Sequence, residues 1–96
     1  MCGIIGISSN KSVSANIINS LKKLEYRGYD SAGVATLFGG EINEVKSEGR
    51  VDNLEQNFDL KSLKGNIGIG HVRWATHGFP NSINAHPHSS DNVSVV

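Results

Sequence analysis

The run Gly3-Ile4-Ile5-Gly6-Ile7-Ser8 starts immediately after the only cysteine of the chain. Its β-branched apolar residues predict a buried strand, and its glycines mark places where another backbone or a ligand comes close. Cys2 runs straight into that strand. Position 2 is small, so removal of Met1 is expected, and Cys2 would then carry a thiol and a free α-amine on one Cα. Reference pKa values of about 7.7–8.0 for the amine and about 8.5 for the thiol let the amine take the thiol proton near neutrality. A terminal residue that supplies its own base is an activated nucleophile. Against that stands the plainer reading of a lone cysteine as a small buried hydrophobe.

A second strong strand is predicted over Ile67–Thr76. Strict pleating puts Ile67, Ile69, His71 and Arg73 on one face and Gly68, Gly70, Val72 and Trp74 on the other. An arginine in line with two isoleucines is no random surface charge. It must be paired or kept to bind an anion at the strand's end. Thr76-His77-Gly78 follows as the strand runs out into a loop. Two neighbouring strands can bring Cys2 to the Arg73–Gly78 segment, which suits the carboxylate end of a small amino-acid substrate.

Between these strands the pattern is ordinary. Asn10, Ser12 and Ser14 are N-cap candidates for a helix whose apolar stripe is Val13, Ile17, Ile18, Leu21 and Leu24, with Gly28 as its stop. Tyr26–Gly33 breaks the period and reads as a structured connection in which two tyrosines and an arginine sit among loop formers. Val34–Phe38, Gly39-Gly40 and Glu41–Ser47 predict a hairpin. Ile42 and Val45 do not alternate strictly, so its second strand is expected to be bulged or at an edge. Val51–Phe58 is weakly helical, with Val51, Leu54 and Phe58 on one face, and positions 61–66 read as a polar connector. Phe79–Asp91 is irregular, and Val93–Val96 reads as the start of a strand.

The 96 residues allow one small domain at most. Nine basic and nine acidic side chains cancel, leaving no basic field for nucleic acid and no polybasic membrane anchor. A single cysteine makes no internal disulfide, which fits a reducing cytoplasm. No signal peptide and no apolar run near the ~20 residues of a membrane span is visible. A cytoplasmic chain is expected. His77, His86 and His88 raise a zinc reading, but Pro87 constrains the backbone between the last two and no carboxylate or second cysteine stands nearby. No metal and no cofactor is expected. Gly65–Gly70 lacks the strand-then-helix context of a phosphate loop.

Four segments in order carry a resemblance: Met1-Cys2-Gly3-Ile4-Ile5-Gly6, Leu24–Gly33, His71-Val72-Arg73-Trp74-Ala75-Thr76-His77-Gly78 and Asn84-Ala85-His86-Pro87-His88. Together they resemble the start of the glutamine–fructose-6-phosphate aminotransferases, within the class II glutamine amidotransferases. The Cys2 start is shared by the wider class, and the Tyr26–Gly33 motif points to the aminotransferases within it. The resemblance implies an α+β fold, about the first half of the αββα sandwich of N-terminal-nucleophile hydrolases. It implies Cys2 as nucleophile, Arg73 for the glutamine α-carboxylate, Trp74, Thr76 and His77 as further pocket residues, and Arg27 as a supporting residue. The implied chemistry is thiolate attack on the glutamine side-chain amide, loss of ammonia, and hydrolysis of the glutamyl thioester. In such enzymes the ammonia goes to a sugar-isomerase domain that converts fructose 6-phosphate to glucosamine 6-phosphate.

The resemblance also implies a truncated member, residues 1–96 being an incomplete glutaminase domain without the sugar-isomerase domains. The family's oxyanion Asn-Gly pair and its amine-binding aspartate would lie beyond Val96. Two readings follow: a fragment active only when another polypeptide supplies the rest, or a non-catalytic remnant.

Overall fold

A computed structural model describes residues 2–76 and 78–96, position 61 through its backbone only. Four strands, β1 (Gly3–Ser8), β2 (Ser31–Phe38), β3 (Glu41–Glu48) and β4 (Ile67–Arg73), form an antiparallel sheet in the order β1-β4-β2-β3. Two helices, α1 (Ser14–Leu24) and α2 (Val51–Asn57), lie between strands, and 3-10 turns occupy Glu25–Arg27 and Leu60–Ser62. A separate short pair, β5 (His88–Ser89) and β6 (Ser94–Val95), closes the described chain.

The apolar stripe of α1 makes the core. Val13, Ile17, Ile18 and Leu21 are buried together with Ala32, Val34 and Val72 of the sheet and Val51 and Leu54 of α2. Each of the larger side chains, the valines, isoleucines and leucines, stabilises the fold by about 1.5–3 kcal/mol through removal from water. The helix can approach this closely because β4 offers glycines beneath it. A Cβ at Gly68 or Gly70 would stand 2.6 Å from an Ile17 methyl carbon. Those glycines thus serve close packing of α1 on the sheet.

Tertiary contacts override several local expectations. Val13 sits at the helix N-cap without a side-chain cap bond; its N–H donates to the Gly65 carbonyl (3.0 Å), while the Ser14 hydroxyl donates to Leu60 (3.4 Å). β2 starts at Ser31 rather than Val34, because Ser31, Ala32 and Gly33 pair with β3 on one side and β4 on the other. β3 is an edge strand, as expected, but its register runs unbroken from Ser31↔Glu48 to Phe38↔Glu41, so it carries no bulge. Its charged Glu41, Glu44, Lys46 and Glu48 suit an unpaired edge. Phe58 falls past the end of α2 in an extended conformation and is exposed. The Leu60–Ser62 turn occupies part of the expected connector.

Pairing places Leu37, Ile67 and Ile69 on the sheet face away from the helices, with His71 and Arg73 farther along the same face and Ile4 beside His71. The apolar end of this face is open, Ile67 being 47% and Leu37 42% exposed, and Ile4 on edge strand β1 is 61% exposed. The polar end is covered by the segment that follows β4, where Ala85 and Pro87 are buried. Among the described residues no helix is long and apolar enough to cross a membrane.

Candidate functional site

The register Gly3↔Val72 sets Cys2, just ahead of edge strand β1, beside the end of β4. There the Trp74 N–H donates to the Cys2 sulfur at 3.5 Å, and the thiol faces the Trp74 carbonyl at 3.8 Å. Cys2 is exposed, so the bland reading of a buried hydrophobe does not describe it. A 310 Å³ cavity opens at this point, lined by Cys2, Arg73, Trp74, Thr76, Asn84, His86 and His88. Four of the residues singled out in the sequence thus share one cavity. His77 lies outside the described residues, as does Met1. Arg27 is in the Glu25–Arg27 turn, its Nε donating to the Tyr26 hydroxyl at 3.4 Å, and it does not line the cavity. A larger cavity of 430 Å³ lies at the far end of the sheet, between Asn10–Ser12 and Lys64–Asn66. It is lined by Lys11, Ser12 and Lys64 and lies away from Cys2 and Arg73.

Arg73 is 8% exposed, as its place on a covered sheet face requires. Its Nη1 donates to the Phe79 carbonyl at 3.3 Å, and Asn84 Nδ2 donates to the same oxygen at 3.0 Å. The loop after β4 is thereby folded back over the arginine. A planar guanidinium fixed at a cavity wall is suited to receive a carboxylate through paired hydrogen bonds.

The Tyr26–Gly33 connection turns out to be the support of this wall. β4 stops at Arg73 rather than Thr76 because the Asp30 carboxylate accepts the Ala75 N–H, which draws the chain away from β1. The Asp30 N–H donates back to the Arg73 carbonyl at 3.2 Å, and Ser31 Oγ donates to Asp30 Oδ1 at 3.1 Å. Gly28 is buried against the same strand exit; a Cβ there would stand 2.7 Å from the Arg73 oxygen. The Tyr29 ring meets the Trp74 ring edge-on, with centroids 5.7 Å apart. Arg50, paired with Glu25 at 2.8 Å, lies over the other side of Tyr29 at 4.8 Å. The sequence signal was the presence of aromatic and charged residues among loop formers. It did not say what they hold.

His86 and His88, which line the cavity, belong to a column of imidazoles that reaches His71 behind it. His71 stacks on His86 with centroids 4.3 Å apart, and His86 meets His88 edge-on at 4.5 Å. His71 is 5% exposed, and the buried Nδ1 atoms of His71 and His86 meet no hydrogen-bond partner. Burial, reinforced by the His86 and Arg73 charges, lowers His71 to about 4. Burial also lowers His86, with His88, Arg73 and Lys46 adding to it. Near neutrality the His71 and His86 rings are uncharged, so their stack is not a cationic one. Among the described residues no cluster of three His, Cys, Asp or Glu side chains could hold a metal ion.

A cysteine at position 2 just ahead of an edge strand, an arginine at the next strand's end and a helix-backed antiparallel sheet match one class of fold, that of the N-terminal-nucleophile glutamine amidotransferases. Solved structures agree. The chain superimposes on a glutamine phosphoribosylpyrophosphate amidotransferase from B. subtilis, solved with ADP and GMP, at a TM-score of 0.80 and 29% identity, over 98% of this chain and 20% of that one. A second structure, of an allosteric regulatory enzyme of purine biosynthesis, gives a TM-score of 0.82 and 30% identity over 98% and 21%. Among curated proteins, the glutamine–fructose-6-phosphate aminotransferase of Mesorhizobium japonicum is 56% identical over 96 residues, 100% of this chain and 16% of the relative. That of Clostridium acetobutylicum is 58% identical over 98 residues, again 100% and 16%. No family model matches. Over its whole length the chain corresponds to the N-terminal part of the glutamine–fructose-6-phosphate aminotransferases, and its fold is that of the N-terminal domains of the glutamine amidotransferases. It spans about a sixth of the length of the curated relatives it matches.

Proposed function

We propose that residues 1–96 are the nucleophile-bearing first half of a cytoplasmic glutaminase domain that supplies ammonia for glucosamine 6-phosphate synthesis. The observation that carries this reading is the shared cavity in which the Cys2 sulfur meets the Trp74 amide beside Arg73. In this reading Arg73 takes the α-carboxylate of glutamine, with Trp74, Thr76 and His77 around it. The Cys2 thiolate adds to the side-chain amide carbon, ammonia leaves with the proton the thiol gave up, and water hydrolyses the thioester to glutamate. Arg27 acts from outside the cavity as a supporting residue. The remainder of the glutaminase domain and the sugar-isomerase domains lie outside these residues.

Residues 1–96 alone are expected not to turn over glutamine. By resemblance, the donors for the developing oxyanion are not among them, and losing even one such donor costs roughly 10²–10³ in rate. The second reading is a non-catalytic remnant, or a half-domain that needs a second polypeptide to complete it; the open apolar end of the sheet at Leu37 and Ile67 favours a half-domain. The two separate in a chimera in which this chain replaces the matching first sixth of the M. japonicum enzyme. Cys2-dependent ammonia release by the chimera, absent from 1–96 alone, supports the first. A folded chimera that releases no ammonia defeats it.

A further inference from the structure

We propose that Asp30 is a positioning residue for the nucleophile: it brackets Trp74 from both sides and so aims the Trp74 N–H at Cys2. This deepens the glutaminase reading and rests on it for the catalytic arm of the test. Three observations meet here. The Asp30 main-chain N–H holds the carbonyl of the residue before Trp74, at 3.2 Å from Arg73. The Asp30 carboxylate holds the N–H of the residue after it, Ala75. Trp74 in between has its own N–H on the Cys2 sulfur at 3.5 Å.

Asp30 is itself fixed on both sides. Ser31 Oγ donates to Oδ1 at 3.1 Å, and the Gly49 N–H donates to the Asp30 carbonyl at 2.7 Å. The carboxylate therefore cannot follow Trp74 if the strand exit moves; the strand exit must follow the carboxylate. A backbone N–H directed at sulfur fixes where the sulfur sits and which way it faces, and so its readiness to attack. The geometry assigns two separable tasks to one residue. The main-chain N–H fixes Arg73 and survives any side-chain substitution, whereas the carboxylate fixes Ala75 and with it the Trp74 amide.

The test begins on the 96-residue chain as it stands. The Ala75 amide is expected to be protected from hydrogen exchange, and exchange at the rate of an unstructured amide would overturn the proposal without any variant being made. Asp30→Ala is expected to slow alkylation of Cys2 by iodoacetamide at neutral pH, while Asp30→Asn, which keeps an acceptor for Ala75, retains most of the wild-type rate. In the chimera, Asp30→Ala is expected to lower kcat about 10²-fold, the scale of a one-ångström misplacement, with KM for glutamine little changed. A folded Asp30→Ala chain with wild-type alkylation and kcat overturns the proposal. So does an Asp30→Asn chain as impaired as Asp30→Ala, since that would make charge rather than the Ala75 bond the cause. If the wild-type chimera itself releases no ammonia, the glutaminase reading falls and the alkylation arm alone decides the role of Asp30.

Discussion

The Trp74 amide donates to the Cys2 sulfur across a separation of 72 positions in the chain, at 3.5 Å. Nothing local creates that contact. It exists because β1 and β4 pair in one register, Gly3 with Val72, so that the residues beyond each strand's end fall together. A slip of one residue would turn every side chain of β1 to the other face. The candidate site is therefore a consequence of sheet register, and its vulnerable points are the residues that hold the strand exit.

Gly28 is one of them. A methyl group there would stand 2.5 Å from the Arg73 carbonyl carbon. Gly28→Ala is expected to destabilise the chain by about 1–3 kcal/mol, the usual cost of forcing atoms into a packed site. In the chimera it should also raise KM for glutamine by displacing Arg73. Denaturant unfolding and steady-state kinetics check the two effects.

Arg73→Lys tests the carboxylate assignment. A lysine is a point charge and cannot reproduce a paired guanidinium–carboxylate contact. In the chimera KM for glutamine is expected to rise roughly tenfold or more, in line with about 1.5–3 kcal/mol for a hydrogen bond to a charged group. An unchanged KM would make Arg73 a structural residue tied to Phe79.

Acid should loosen the imidazole column. His71 titrates near 4 in the fold and near 6.5 unfolded, so between these values the unfolded chain binds more protons. Stability is then fully present above that window and falls as the pH drops through it, by a total on the order of 3 kcal/mol. His86, lowered in the same direction, adds to the loss. Urea unfolding across this window should show the slope in the wild type and a flatter one in His71→Gln. Equal slopes would place the acid sensitivity elsewhere.

The open end of the sheet predicts association. Leu37 and Ile67 pair across β2 and β4 at the apolar end of the sheet and are both exposed, and Ile4 adds a third exposed apolar side chain farther along the same face, beside His71. Such a surface drives self-association when left in water. Residues 1–96 alone are expected to sediment as more than a monomer, and Leu37→Lys with Ile67→Lys should shift them toward monomer. A wild-type chain that stays monomeric at high concentration contradicts this.

What the sequence made legible follows from periodicity. The α1 stripe was readable because its apolar side chains repeat at the helical period, Gly3–Ser8 from its run of β-branched apolar residues, and the hairpin from Gly39-Gly40 between two strand-like runs. The alternation Ile67, Ile69, His71, Arg73 was readable from the strand period and placed the arginine on the correct face, although the strand was expected to run on to Thr76 and ends at Arg73. Asp30 was not readable as a support, because a carboxylate that accepts an amide 45 positions away leaves no local pattern. The His71–His86 stack was equally hidden. It forms only when the irregular segment after β4 folds back over Gly33, whose missing side chain leaves room for the His86 carbonyl.

The most direct measurement uses a glutamine analogue that carries an electrophile in place of the side-chain amide. Incubated with the chimera, it should label one residue stoichiometrically, located by peptide mass spectrometry at Cys2. Glutamine should protect against the labelling, and Arg73→Ala should slow it severely at low analogue concentration. Labelling elsewhere, or labelling of Cys2 that neither glutamine nor Arg73 affects, would contradict a shared site for the nucleophile and the carboxylate.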